Sequence, residues 1–362
     1  MPTYSVKTAP RAYPCVVERG ALAALAQHIP ECAGKVFVVT EPRVFKLHGK
    51  ALHTALAGHA HEVIFFPGGE ERKRLAEVES LAEQMVVRGA DRTSLVIAFG
   101  GGIVGDLGGF LAAIFMRGIP VIQIPTTLQA QVDAAVGGKT GANLVAGKNL
   151  IGAFHQPLAV LIDPALLDTL PQREYVAGLY EVIKYGVISS PILFDRLAQD
   201  SKKVLAKDPV VVDEIIAESV RIKAEVVSAD EKESGLRRIL NFGHTIGHAL
   251  EAETKYERFL HGEAVAFGMR AAVHLSSLQG SIREGHAERI LQCIELYGEL
   301  PDLSNVEALN LVHRTGADKK TIQGRVHFVL VERIGATTIE SGLNEKIVLA
   351  AVDAALADLV HA

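Results

Sequence analysis

Between residues 36 and 162 the chain alternates short apolar runs with amphipathic stretches. Val36-Phe37-Val38-Val39 is β-branched and aromatic with no polar position, the pattern of a buried strand. Similar runs recur at 62–66, 94–99, 121–124 and 159–162, closed in turn by Pro67-Gly68-Gly69, a glycine run, Pro125 and Asp163-Pro164. Helical patterns lie between some of them, as over 72–88. Strands alternating with helices predict a parallel sheet in a doubly wound domain. From about Gln172 helical periodicity dominates, over 176–188, 209–229, 242–253, 261–279 and 345–359, and only 326–331 reads as a strand. The pattern predicts an α/β chain. A doubly wound, mostly parallel, Rossmann-like sheet domain covers 1–171, and a mainly α-helical domain covers 172–362, with the join near Leu170-Pro171. No repeat or low-complexity linker separates them, so a firm interface is expected, and clefts at such interfaces favour ligand sites.

Composition narrows the classes. A chain of 362 residues, 49% hydrophobic and 22% charged, is ordinary for a globular enzyme and long for one core. A net charge of -5 points away from nucleic acid and anionic membrane surfaces as partners, so an anionic substrate would need a local cluster of bases. Three scattered cysteines, Cys15, Cys32 and Cys293, read as reduced thiols and not as a disulfide framework. The N-terminus lacks a signal-peptide pattern, and the most apolar stretch, 103–124, is broken by Asp106, Arg117, glycines and Pro120. A cytoplasmic location is the expectation.

Candidate chemistry begins at Gly100-Gly101-Gly102-Ile103-Val104-Gly105-Asp106-Leu107-Gly108-Gly109, directly after an expected strand. Successive glycines let backbone approach a ligand, and a following helix would aim its amides at a pyrophosphate. The spacing is neither G-x-G-x-x-G nor a P-loop, and close helix–sheet packing would also explain glycines here. Pro67-Gly68-Gly69-Glu70-Glu71-Arg72-Lys73 and Pro125-Thr126-Thr127 also follow expected strands. Three such loops suit a dinucleotide crevice.

His244 and His248 stand at i and i+4, on one face of an expected helix. The spacing alone is weak in a chain with 14 histidines, and two ordinary helix histidines would look the same. His261-Gly262-Glu263 adds a third imidazole, and Glu181-Val182-Ile183-Lys184 a carboxylate with a lysine at i+3. Two histidines and a carboxylate make a catalytic type of zinc site, with coordination left open. The spacing leaves open which two of His244, His248 and His261 bind. Bases recur beside these segments: Arg117, Lys139, Lys148, Lys184, Lys223 and Arg237. Most surface lysines are merely solvated. Should these converge, the substrate carries more than one negative charge, as a phosphate and a carboxylate would.

From about Val36 to about Val331 these segments follow one another in an order that resembles the 3-dehydroquinate synthase family. The series runs through Gly100 to Gly109, Pro125-Thr126-Thr127, Val132-Asp133 and Gly137-Gly138-Lys139-Thr140-Gly141. It continues through Gly147-Lys148-Asn149, Glu181 to Lys184, Leu240 to His248 with Glu251, and His261-Gly262-Glu263. The resemblance implies zinc, or cobalt, on Glu181, His244 and His261, with His248 contacting substrate. It implies catalytic roles for Lys184, His248, Asn241 and Glu233, and substrate contacts at Asp133, Lys139, Asn149, Lys223 and Arg237. Arg117 is similar to an arginine that reaches a neighbouring subunit's site, which implies a homodimer, and one of Lys319 and Lys320 resembles a lysine near the phosphate. For NAD it implies Glu41, Glu70, Lys73, Gly101, Gly102 and Asp106, together with Thr126, Thr127, Lys139, Lys148 and Thr169. Glu41 replaces the family's more usual Asp, Leu128-Gln129-Ala130 its Leu-Leu-Ala, and Asp133-Ala134-Ala135 its Asp-Ser-Ser, none of which removes a charged contact.

The implied substrate is 3-deoxy-D-arabino-heptulosonate 7-phosphate, a sugar-acid phosphate. It is oxidised transiently by NAD, loses phosphate, is reduced again and closes to a carbocycle in a shikimate-pathway step. A metal-dependent polyol dehydrogenase is the nearest alternative, but the bases Lys139, Lys148, Lys223 and Arg237 suit a charged substrate. A sister sugar-phosphate cyclase is a second alternative. An inactive NAD-binding protein is a third, and would be marked by a lost ligand or base.

Overall fold

The structure is a computed structural model that describes residues 2–316 and 326–360. The chain starts with β1 (Thr3–Lys7), β2 (Ala12–Val17), β3 (Val36–Thr40), α1 (Pro42–Ala55), β4 (His61–Phe65) and α2 (Leu75–Val87). It continues with β5 (Leu95–Gly100), α3 (Gly102–Ile114), β6 (Val121–Pro125), β7 (Lys139–Leu144), β8 (Gly147–Phe154) and β9 (Ala159–Ile162). Helices follow: α4 (Gln172–Ile188), α5 (Pro191–Gln199), α6 (Ser201–Leu205), α7 (Pro209–Ala229), α8 (His244–Glu253) and α9 (His261–Leu278). The last elements are α10 (Glu284–Glu295), α11 (Ala308–Gly316), β10 (His327–Arg333), β11 (Ala336–Ser341) and α12 (Glu345–Val360).

The chain folds as two compact units, Met1–Tyr175 with Val212–Lys232, and Val176–Val211 with Glu233–Ala362. Most of α7, read from the sequence as part of the helical half, therefore groups with the sheet.

The first unit is built on a seven-stranded sheet of order β1-β2-β9-β6-β5-β3-β4. All neighbours run parallel except the antiparallel β1–β2 edge pair. Its apolar strands are buried on both faces because alternate side chains feed separate clusters. Phe37, Val39, Val96 and Ala98 pack with Leu107 and Phe110 of α3 and Leu81 of α2. Val36, Val38, Leu95 and Ile97 pack with Leu52 of α1 and Leu22 and Leu25. The second unit has a core from α8, α9, α11, α12 and β10, including Leu250, Phe267, Leu311, Leu330 and Val352.

Three pairings escaped the periodicity. β1 and β2 form an edge hairpin, β7 and β8 form another over residues read only as glycine-rich motifs, and β11 pairs with β10. The expectation of one strand in the helical half is thus corrected to two among the described residues. β11 is half-exposed along most of its length, so it carries no continuous apolar run. No helix among the described residues is long and apolar enough to cross a membrane.

Candidate functional site

In the first unit the chain goes outward from β3 to β4, then crosses back past β3 to β5. The winding reverses between β3 and β5, and ligands of such sheets bind at the carboxyl ends of the strands flanking that point. Glu41 directly follows β3 there, and burial together with Glu174 raises its carboxyl, against Arg43. Gly68 and Gly69 beyond β4 both have positive φ, +90° and +94°, which requires glycine, and a Cβ on Gly68 would lie 3.3 Å from Glu41 Oε2. Gly100 ends β5, and α3 starts at Gly102 with no side chain capping its N-terminus. A helix N-terminus favours an anion. Thr126 donates its N–H to the Gly100 carbonyl at 2.9 Å, and a Cβ on Gly101 would lie 3.2 Å from Thr127 Cγ2.

The downstream glycines do something else. A Cβ on Gly108 would sit 2.9 Å from Ala98 Cβ, and one on Gly109 2.5 Å from Thr140 Cγ2. The packing explanation holds for Gly108 and Gly109, which let α3 lie close on β5 and β7, and for Gly100, where a Cβ would lie 2.7 Å from Val104 Cβ; Gly101 stands between β5 and α3.

Lys73 is buried, pairs with Asp106 and donates to Asn149 Oδ1 at 2.5 Å. Burial raises the Asp106 carboxyl in spite of Lys73. Asn149, at φ +51°, donates its N–H to Asn143 Oδ1 at 2.8 Å, and Asn143 Nδ2 donates to Glu70 Oε1 at 2.8 Å. Lys148 Nζ lies 3.9 Å from Glu70 Oε1. With Asp106 joined through Lys73 and Lys148 beside Glu70, the residues Glu70, Lys73 and Asn149 thus meet at Asn143, which sequence reasoning missed. Its only sequence signal is its place among the Gly-Lys motifs. Lys223, on α7, donates to the carboxylate and the carbonyl of Asp133, both at 2.6 Å. Thr169 Oγ1 is 3.0 Å from His48 Nε2. Lys139 opens β7 and is exposed, and Arg117 is exposed in left-handed backbone at φ +73° after Met116 at +46°.

The second unit holds the histidines. Glu181 and Lys184 lie on α4, His244 opens α8 with His248 a turn later, and His261 opens α9. Glycines let these backbones touch: a Cβ on Gly262 would fall 1.8 Å from Ala177 O, and one on Gly268 1.8 Å from Gly243 O. The result places Nε2 of His261 at 3.3 Å and Nε2 of His244 at 3.5 Å from Glu181 Oε1, with Lys184 Nζ 2.5 Å from Oε2. Their remaining ring nitrogens are held from behind, Nδ1 of His244 3.1 Å from the Phe242 carbonyl and Nδ1 of His261 3.2 Å from Glu251 Oε2.

Glu181 is wholly buried and neither carboxyl oxygen makes a hydrogen bond of good geometry. Burial opposes its charge, yet Lys184, His244 and His261 together hold the carboxyl well below its ordinary value. Burial would likewise strip His261 of its proton, but Glu251 and Glu181 outweigh it and push the ring up to about 10. A buried carboxylate without directed hydrogen bonds is costly unless a cation meets it. Lys184 meets Oε2, and a divalent cation where Oε1 and the two Nε2 atoms converge would meet the other oxygen; such a donor set suits zinc with a position left open. The donor atoms of Glu181, His244 and His261 lie within 4.8 Å of one another, as do those of His248, Glu251 and His261. In the same unit, Asn241 donates to Glu233 Oε1 at 2.6 Å, and Arg237 is 1% exposed. Lys319 and Lys320 lie outside the described residues.

Comparison with known proteins follows the same two halves. Residues 63–177 match the family described as 3-dehydroquinate synthase N-terminal, and residues 178–321 match 3-dehydroquinate synthase C-terminal. A 3-dehydroquinate synthase from Solibacter usitatus is 62% identical over 357 residues, 99% of this chain and 100% of that protein. One from Koribacter versatilis is 47% identical over 354 residues, 96% of each. Among solved structures, 2-epi-5-epi-valiolone synthase from Streptomyces hygroscopicus, with NAD+ and Zn2+ bound, is 29% identical with a TM-score of 0.88, covering 98% of each chain. With two family models end to end across most of its length and such identity along nearly all of it, the chain belongs to the 3-dehydroquinate synthase family.

Proposed function

We propose that the protein is a phosphate-eliminating lyase that converts 3-deoxy-D-arabino-heptulosonate 7-phosphate to 3-dehydroquinate and phosphate. Identity of 62% along 99% of the chain to a protein of that name carries the reading. NAD, when bound, supplies a transient hydride acceptor, and zinc or cobalt a Lewis acid. NAD lies at the carboxyl ends of β3 to β6, on Glu41, Glu70, Lys73, Gly101, Gly102, Asp106, Thr126, Thr127 and Thr169, with Lys139 and Lys148 alongside. Glu181, His244 and His261 hold the cation. Lys184, buried beside Glu181, helps the proton of the hydroxyl to be oxidised to leave. His248 and Asn241 orient the substrate, with Glu233 fixing the Asn241 amide. Asp133, Lys139, Asn149, Lys223 and Arg237 bind its charged ends. The number of bases beside these segments, Lys139, Lys148, Lys223 and Arg237, supports a polyanionic substrate over a neutral polyol.

The working form is a cytoplasmic homodimer in which Arg117 completes the neighbouring subunit's site. Exposed apolar side chains on the β7–β8 hairpin, Leu144, Val145, Leu150 and Phe154, and Ile114 and Met116 beside Arg117 support an interface there.

The test is phosphate release from 3-deoxy-D-arabino-heptulosonate 7-phosphate with substoichiometric NAD. The expected outcome is phosphate in large excess over NAD, abolished by chelation and restored by zinc. No phosphate from the zinc-restored protein sinks the substrate assignment, and NADH accumulating with polyols would favour a dehydrogenase instead.

A further inference from the structure

Glu251 has no part in the scheme above, yet it is 2% exposed and sits on α8 three residues after His248. Its Oε2 is 3.2 Å from Nδ1 of His261, whose Nε2 is 3.3 Å from Glu181 Oε1. One imidazole therefore spans two carboxylates through its two nitrogens. To bind a cation His261 must be neutral, with one N–H and one lone pair. A carboxylate only accepts, so Glu251 draws the N–H to Nδ1 and leaves the Nε2 lone pair on the side of Glu181 and His244. The Phe242 carbonyl, 3.1 Å from His244 Nδ1, treats the other histidine alike.

We propose that Glu251 is a positioning residue, fixing the tautomer and ring orientation of His261 for a divalent cation without ligating it. The proposal rests on the cation site assigned above. A competing arrangement uses His248, Glu251 and His261 Nδ1 as the ligands, since their donor atoms also lie within 4.8 Å of one another. That arrangement would leave Glu181, wholly buried, with Lys184 against Oε2 and no divalent charge at Oε1, where the two Nε2 atoms converge. A carboxylate behind a ligating imidazole also makes it a better donor, and such partners are worth about 10- to 100-fold in metal affinity.

The experiment measures zinc affinity of the full-length apoprotein by competition with a chromophoric chelator. It compares wild type, Glu251→Gln, Glu251→Ala and Glu181→Gln, and records the visible spectrum of each with saturating cobalt(II). Glu251→Ala should bind zinc about 10- to 100-fold more weakly. Glu251→Gln, whose amide oxygen can still accept from Nδ1, should lose less, and both should keep the wild-type cobalt spectrum while Glu181→Gln shifts it. Unchanged zinc affinity in both Glu251 variants overturns the positioning role. A cobalt spectrum that shifts in Glu251→Gln as it does in Glu181→Gln makes Glu251 a ligand and equally overturns it. Failure of the wild type to take up zinc removes the cation site itself, a different result from loss confined to the variants. Should Glu251→Ala fail to fold, the near-isosteric glutamine variant carries the comparison.

Discussion

At the scale of single residues, burial decides which groups are chemically active. Burial pushes the thiols of Cys15 and Cys293 up to about 12, opposed by Lys223 at the first and Arg289 at the second, while Cys32 is exposed. Thiolate is the reactive form, so a thiol reagent at pH 8 should modify one cysteine of the native protein and three after unfolding. Two rapidly modified thiols in the native protein would contradict the burial. The folded pKa is raised, so stability from keeping these thiols protonated is whole below the ordinary 9.0 and is lost as pH rises from there towards about 12. Glu181 and Lys184 were legible in sequence as a pair because i and i+3 share a helix face. Asn143 was not, and Glu251 stood in the motif series without a role, because each touches side chains from other elements.

At the scale of elements, the histidine cluster exists because α4, α8 and α9 approach backbone to backbone. Gly268 is one such case: an added Cβ would lie 1.8 Å from Gly243 O and 2.7 Å from Gly247 N, both backbone atoms that cannot rotate away. Gly268→Ala should therefore destabilise the protein by about 3 kcal/mol or more in urea unfolding. Gly285→Ala is the control, since nothing lies within 4 Å of its added Cβ on α10, and it should be neutral or stabilising by up to about 1 kcal/mol. Equal effects would remove the close-approach account. The sequence located the helices but not this function of their glycines, since a packing glycine and a loop glycine are spelled the same way.

At the scale of the whole molecule, the assignment of Arg117 to a neighbouring subunit makes a prediction that no single chain can meet. Arg117→Ala and Glu181→Ala should each be inactive as homodimers. Mixed, denatured and refolded together, they should recover about one quarter of wild-type activity, because half the dimers are mixed and each then has one complete site. No recovery, with mixed dimers present, would place Arg117 in its own subunit's site. Sedimentation should give twice the chain mass before mixing.

The alternating strand–helix order of the first half, the helical second half and the ordered motifs that mark the family are legible along the chain. These are local signals: period-2 or continuous apolar runs, 3.6-residue periodicity and short fixed spacings. Packing in three dimensions groups most of α7 with the sheet and brings Lys223 onto Asp133. It alone paired β7 with β8 to set Asn143 among Glu70, Lys73 and Asn149, and turned the two nitrogens of His261 toward different carboxylates. Contacts between residues tens of positions apart depend on how elements pack, and a one-dimensional pattern records which face is apolar without recording what that face meets.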